Sequence, residues 1–156
     1  MISDIFEHTI TVYNRRFNMI PQPGLPPGGG GAVIWMRTVI SGVMWKDNKQ
    51  TNQNTDGVSV LDKTISITIP KEADYGGRTY IEPSRFNGIP RDQLSMYWTV
   101  NTDPVNSDII VLGEGREIGP LYTIDNLRRD LRHMSPRKVT DSSHVTDMPM
   151  IRIHGV

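Results

Sequence analysis

The segment AVIWMRTVISGVMW, residues 32–45, constrains this chain more than any other, and it follows directly on PQPGLPPGGGG. From Val33 to Trp45 the run is rich in β-branched and aromatic residues and poor in strong helix formers. Such side chains pack well on a pleated surface and lose rotamer freedom in a helix. The run therefore predicts a long strand, bent or bulged at Ser41-Gly42. Arg37, Val39 and Ser41 fall on one face, and Met36, Thr38 and Ile40 on the other. The preceding residues 21–31 hold four prolines and five glycines. Proline removes a backbone donor and glycine loses the most backbone entropy on ordering, so residues 18–31 read as a flexible loop or arm.

The rest of the chain extends the β pattern. Ile10 to Tyr13 is a short β-favouring run. VSVLDKTISITIP places Ile65, Ile67 and Ile69 on one face and Thr64, Ser66 and Thr68 on the other, and Pro70 ends it. Shorter strands are expected within 79–83 and 95–100, and IIVLGEG reads as a strand running into a glycine turn. The close, MIRIHGV, alternates Ile151 and Ile153 against Arg152 and His154, a final strand over 150–156 that is expected to pair near the first. One helix is expected, over 123–134, capped by Thr123 with Asp125 in its first turn. Ile124, Leu127 and Leu131 share its apolar face and Pro136 stops it. Residues 47–57, DNKQTNQNTDG, read as a long polar loop. The expectation is a single mainly β domain over 1–156: a small antiparallel β-barrel or sandwich with long loops and one late α-helix.

Composition narrows the function. Lys plus Arg and Asp plus Glu are equal at 17 each, which argues against a polyelectrolyte role and mildly favours a protein that works inside an assembly. The absence of cysteine removes disulfides, thiolate metal sites and cysteine nucleophiles. MISDIFEHTI lacks the basic start and apolar stretch of a signal peptide, and no apolar run reaches bilayer length. These features predict a protein made in the cytoplasm with no membrane contact.

Catalytic motifs are absent from the pattern. Gly28–Gly31 lead into a strand without the Lys-Ser/Thr of a phosphate loop. GEGREIG lacks the dinucleotide fingerprint and its strand-to-helix context. His8, His133, His144 and His154 form no metal-ligand pair, and no GxSxG elbow anchors a triad. The sequence thus predicts a non-enzyme without cofactor or metal. Arg128, Arg129, Arg132, Arg137 and Lys138 form a basic cluster, read either as a solvated face or as contact with an acidic partner or DNA. Trp35, Trp45 and Trp98 are first of all core candidates, but not all can be fully buried in so small a domain. Trp35 and Trp45 are interface candidates.

ITVYN, then WMRTVISGVMW, a polar loop, a Thr/Ile strand ending in IP, and SDIIVLGEG together resemble a family of small structural proteins from the head and neck genes of Firmicutes tailed phages. The resemblance covers much of residues 9–118. It implies a head-tail connector of the head-completion, head-closure (stopper) or adaptor type, placed in the virion neck. Its expected partners are its own copies in a homo-oligomeric ring, twelvefold or sixfold, a portal or adaptor protein above, and a tail terminator or tail tube below. Non-specific contact with packaged DNA is also implied. On this reading Arg128, Arg129 and Arg132 are candidates for an inter-subunit or portal contact. Asn48, Lys49, Gln50, Asn52, Gln53 and Asn54 are candidates to face the channel or a neighbouring ring. A tail terminator or minor capsid protein is the nearest alternative, and a small β-barrel ligand-binding or enzyme module is the third.

Overall fold

The architecture follows from one strand that serves two sheets. The computed structural model of the chain describes residues 5–18, 32–53, 59–105, 107–142 and 149–156. β1 (His8–Asn18) and β2 (Ala32–Gln53) are antiparallel, paired from Asn18↔Ala32 to His8↔Val43. The register passes from Thr9↔Ser41 to His8↔Val43, so Gly42 is an extra residue. Its φ of 82° is one that only glycine adopts without strain. Immediately beyond this bulge β2 changes partner, and Met44 to Gln53 pair with β3 (Ser59–Pro70). A bulge that bends a strand from one sheet into the next makes the corner of a sandwich.

The same device operates on the far side. β6 (Ile109–Leu112) pairs with β1, and β7 (His133–Met134) with β6. β8 (Pro136–Asp141) and β9 (Met150–Gly155) complete the order β7-β6-β1-β2-β3-β9-β8. The two outermost strands are therefore one run of chain, interrupted only at Ser135. Ser135 N–H donates to Val156 C=O at 2.8 Å, and Val156 N–H returns a bond to Ser135 C=O at 3.1 Å. The sheet thus curls so that both ends meet at 133–141. The fold is mainly β and antiparallel, as the sequence predicts, and sandwich-like. β9 does not pair near the first strand. It lies between β3 and β8, and the joining is done by residues 133–141.

Between the half-sheets lies the main core, with Ile10, Val12 and Ile40 from one side and Ile67, Ile69 and Ile153 from the other. Trp98 fills its centre, with Tyr75 stacked at 5.8 Å and Tyr80 edge-on at 4.9 Å. Tyr80 and Trp98 sit on a small parallel pair, β4 (Thr79–Tyr80) and β5 (Tyr97–Trp98). A third cluster, Ile81, Phe86 and Leu94, closes over Met36, using α1 (Pro83–Phe86) and a 3₁₀ turn over Arg91–Met96.

The late helix, α2 (Ile124–Asp130), covers the outer face of the first half-sheet. Its Leu127 packs on Tyr13, Ile109 and Val111, while Ile10, Val12 and Ile110 point inward. That two-sided burial explains why IIVL is apolar throughout. Thr123 caps α2 as expected: its Oγ1 accepts from Asn126 N–H at 3.3 Å, and Asn126 Oδ1 accepts from Thr123 N–H at 3.0 Å. The helix ends at Asp130, before the expected 134. Leu112 N–H donates to Arg132 C=O at 2.8 Å, and that sheet bond requires extended backbone. That sheet bond at Arg132 stops the helix ahead of Pro136.

Candidate assembly surface

The expected polar loop at 47–57 is strand through Gln53, paired residue by residue with β3. Backbone pairing sets this, because polar Asn, Gln and Thr carry no apolar alternation to announce a strand. β1 leaves β2 at Val43, and β9 leaves β3 at Ile65. From Asn48↔Thr64 to Gln53↔Ser59 the two strands therefore run with no third strand among the described residues. Six residue pairs extend roughly 20 Å. Asn48, Lys49, Gln50, Asn52 and Gln53 all lie on this ribbon, while Asn54 lies outside the described residues.

A second ribbon leaves the other end of β2. β6 pairs with β1 only from Ile10 to Tyr13, so Asn14↔Met36 to Asn18↔Ala32 pair with no third strand among the described residues. Residues 19–31, the greater part of the expected Pro/Gly arm, lie outside the described residues.

The first ribbon is tied at its root. Arg132 donates to the Asp47 carboxylate, so one candidate arginine meets the base of the candidate ribbon. The other two arginines are held locally: Arg128 lies 3.8 Å from Asp125, and Arg129 lies 3.2 Å from Asp130. All three remain substantially exposed. Their charge is largely answered by their own helix and strand neighbours, so the cluster is less basic than its sequence suggests. Trp35 is half-buried, packed against the cluster of Tyr13, Ile109, Val111 and Leu127. Trp45, at 6% exposure, belongs to the main core.

The second ribbon is anchored by a buried polar knot that sequence reasoning missed. Asp108, 1% exposed, accepts from Arg15 N–H at 2.7 Å, Asn101 N–H at 2.8 Å and Asn14 Nδ2 at 2.9 Å. Asn14 Nδ2 also donates to Thr99 C=O at 2.5 Å. Burial pushes the Asp108 carboxyl up to about 6 against the pull of these donors. Asn14 and Asp108 are 94 positions apart, and only the leading Asp of DIIVLGEG hinted at the contact.

Glycines of the same block are structural too. Gly113 has φ 96°, and its N–H bonds Thr9 C=O at 2.7 Å. Tyr13 donates to Arg116 C=O at 2.5 Å across Gly115, where a Cβ would collide with the phenol. Arg37 Nε donates to Gly115 C=O at 2.6 Å, and its Nη2 lies 3.3 Å from Glu114. Tyr13 is pushed up to about 12 by burial.

Among the described residues, no group of His, Asp and Glu is placed to hold a metal ion, and no helix is long and apolar enough to cross a membrane. A family model described as a family of unknown function, DUF6751, matches residues 5–156. No curated protein and no solved structure matches the chain.

Proposed function

From a chain that belongs to the DUF6751 family across residues 5–156, we propose a structural subunit of a tailed-phage neck: a ring-forming head-tail connector. The observation that carries this reading is β2, whose 22 residues outrun the sandwich at both ends into two-stranded ribbons. A lone ribbon is marginally stable in water, and its outer edges are templates for further pairing. A neighbouring copy in a ring would supply the missing third strand. The zero net charge, the corner-built rigid core and the resemblance of the WMRTVISGVMW and DIIVLGEG blocks to neck proteins support the same role.

On this reading the sandwich body forms the ring wall. The β2–β3 ribbon, rooted by Arg132 and Asp47, reaches a neighbouring copy or the channel. The portal or adaptor would lie on one side of the ring and the tail terminator or tube on the other, with packaged DNA contacted without base selection. The test is electron microscopy of particles from a phage lacking the gene. Tailless heads beside free tails are the expected result, with leaked DNA pointing to closure. Normally tailed particles would overturn the proposal.

A further inference from the structure

Away from both ribbons, the segment 71–80 arches over the end of the β3–β9–β8 half-sheet and leaves a cavity of about 270 Å³. Its floor is apolar, from Ile69, Met150 and Ile151. Tyr75 and Tyr80 wall it, and both are fixed. Tyr75 donates to Pro70 C=O at 2.7 Å, and the two rings clasp Trp98. A cavity of this size holds roughly nine waters, or one amino-acid-sized body. Preformed apolar walls with a few convergent polar groups are what small-ligand sites have in common.

The charged lining defines the ligand. Lys71, Arg78 and Asp141 line the cavity, and Glu72 and Glu82 stand near enough to act on Tyr75 and Tyr80, so Arg78 is the group that can call for an anion. Arg78 is the unusual member. It is half-buried, and its Nη1 donates to a neutral hydroxyl, Thr38 Oγ1, at 2.8 Å. Among the described residues no carboxylate lies within ion-pair distance of it. Burial, and then the nearby Arg37, lower its pKa, the expected response of a cation without a counter-ion. A guanidinium in this state gains most from a planar anion that takes two of its N–H groups.

We propose that this cavity binds a monoanion of one class: a terminal carboxylate on an apolar body, with the carboxylate on Arg78 and Lys71 and the body on Tyr75, Tyr80 and Met150. Asp141 opposes a second negative charge, which selects a carboxylate over a phosphate dianion. The same chemistry comes from a free N-acylated amino acid or from the C-terminal residue of another polypeptide. The site is independent of the connector reading, since none of its residues lies on either ribbon.

The test is methyl NMR of the full chain labelled at methionine, with the Met150 signal assigned by Met150→Leu. N-acetyl-leucine and N-acetyl-phenylalanine are titrated beside their primary amides. A tetrapeptide ending in leucine is titrated with its C-terminus free and then amidated. Saturable shifts of Met150 by the acids, at least tenfold weaker for the amides, are expected. Tighter binding of the free-ended peptide identifies a chain terminus as the source, and its exclusion identifies a free small molecule. Arg78→Gln should weaken the acids at least tenfold. Lys71→Gln, on an exposed side chain, should weaken them about threefold, and added salt should weaken both interactions. Equal binding of acids and amides, or no saturable shift in the unaltered chain, overturns the proposal.

Discussion

The sandwich body and the β2–β3 ribbon are made from the same two strands, yet they are held by different physics. Within the body β3 lies between β2 and β9 and has a buried face: Ile67, Ile69 and their β9 partners Ile151 and Ile153 are at most 4% exposed. Beyond Asn48 the strands keep their backbone pairing but lose their third strand. Hydrogen bonding alone gives little net stability over water, whereas burial of aliphatic surface gives much. The comparison teaches that a buried aliphatic face holds the body, while the ribbon keeps its backbone pairing beyond the point where β9 ends.

The sharpest way to break the body is at its centre. Trp98→Ala removes the ring between Tyr75 and Tyr80 and should cost about 3–5 kcal/mol, read by chemical denaturation. Next comes the meeting point of the sheet. A Cβ at Gly155 would press on the Ser135 backbone and sit 2.6 Å from Met134 Cε, so Gly155→Ala should cost roughly 3 kcal/mol. An unchanged denaturation midpoint would show that 133–141 closes nothing.

Asp108 offers a pH test of the same body. Its folded pKa of about 6 lies above the ordinary 3.8, so the fold favours the protonated form. Its penalty is absent below pH 4, grows between pH 4 and 6, and is constant above. Stability from this group should therefore fall with rising pH across that window, by on the order of 3 kcal/mol. Asp108→Asn should flatten the slope, and a slope unchanged by that substitution would assign it elsewhere.

The ribbon should respond differently. Replacing residues 49–63 with a short turn should change the stability of the body by about 1 kcal/mol or less, because the described core of β3 begins at Ile65. On the connector reading the same change abolishes ring formation, measured by mass photometry or by complementation of the gene-deleted phage. The smallest effect belongs to the root. Arg132→Ala removes an exposed ion pair with Asp47 and should cost under about 1 kcal/mol, read by urea denaturation.

How much of this was legible in the chain depends on where burial leaves a periodic mark. β3, β9 and the cap of α2 were readable because Ile65, Ile67, Ile69, Ile151 and Ile153 alternate and because Thr123 precedes an apolar face. The bulge was readable because Gly42 interrupts a β-branched run. β8 was not, since PRKVTD holds one apolar residue and a proline; it is a strand because β9 offers it a partner. The Asp108 knot and the cavity over β9 were hidden for a related reason, being assembled from residues far apart in sequence.

By itself, then, the sequence determined a β-rich chain, its aliphatic faces, its glycine corner and its capped helix, because local sterics and side-chain periodicity act between near neighbours. Tertiary structure alone decided that β2 runs on to Gln53, that the helix yields to the sheet at Arg132, and that the two sheet ends meet at Ser135. Those outcomes depend on which backbone groups find partners across the chain, a competition that no single segment records.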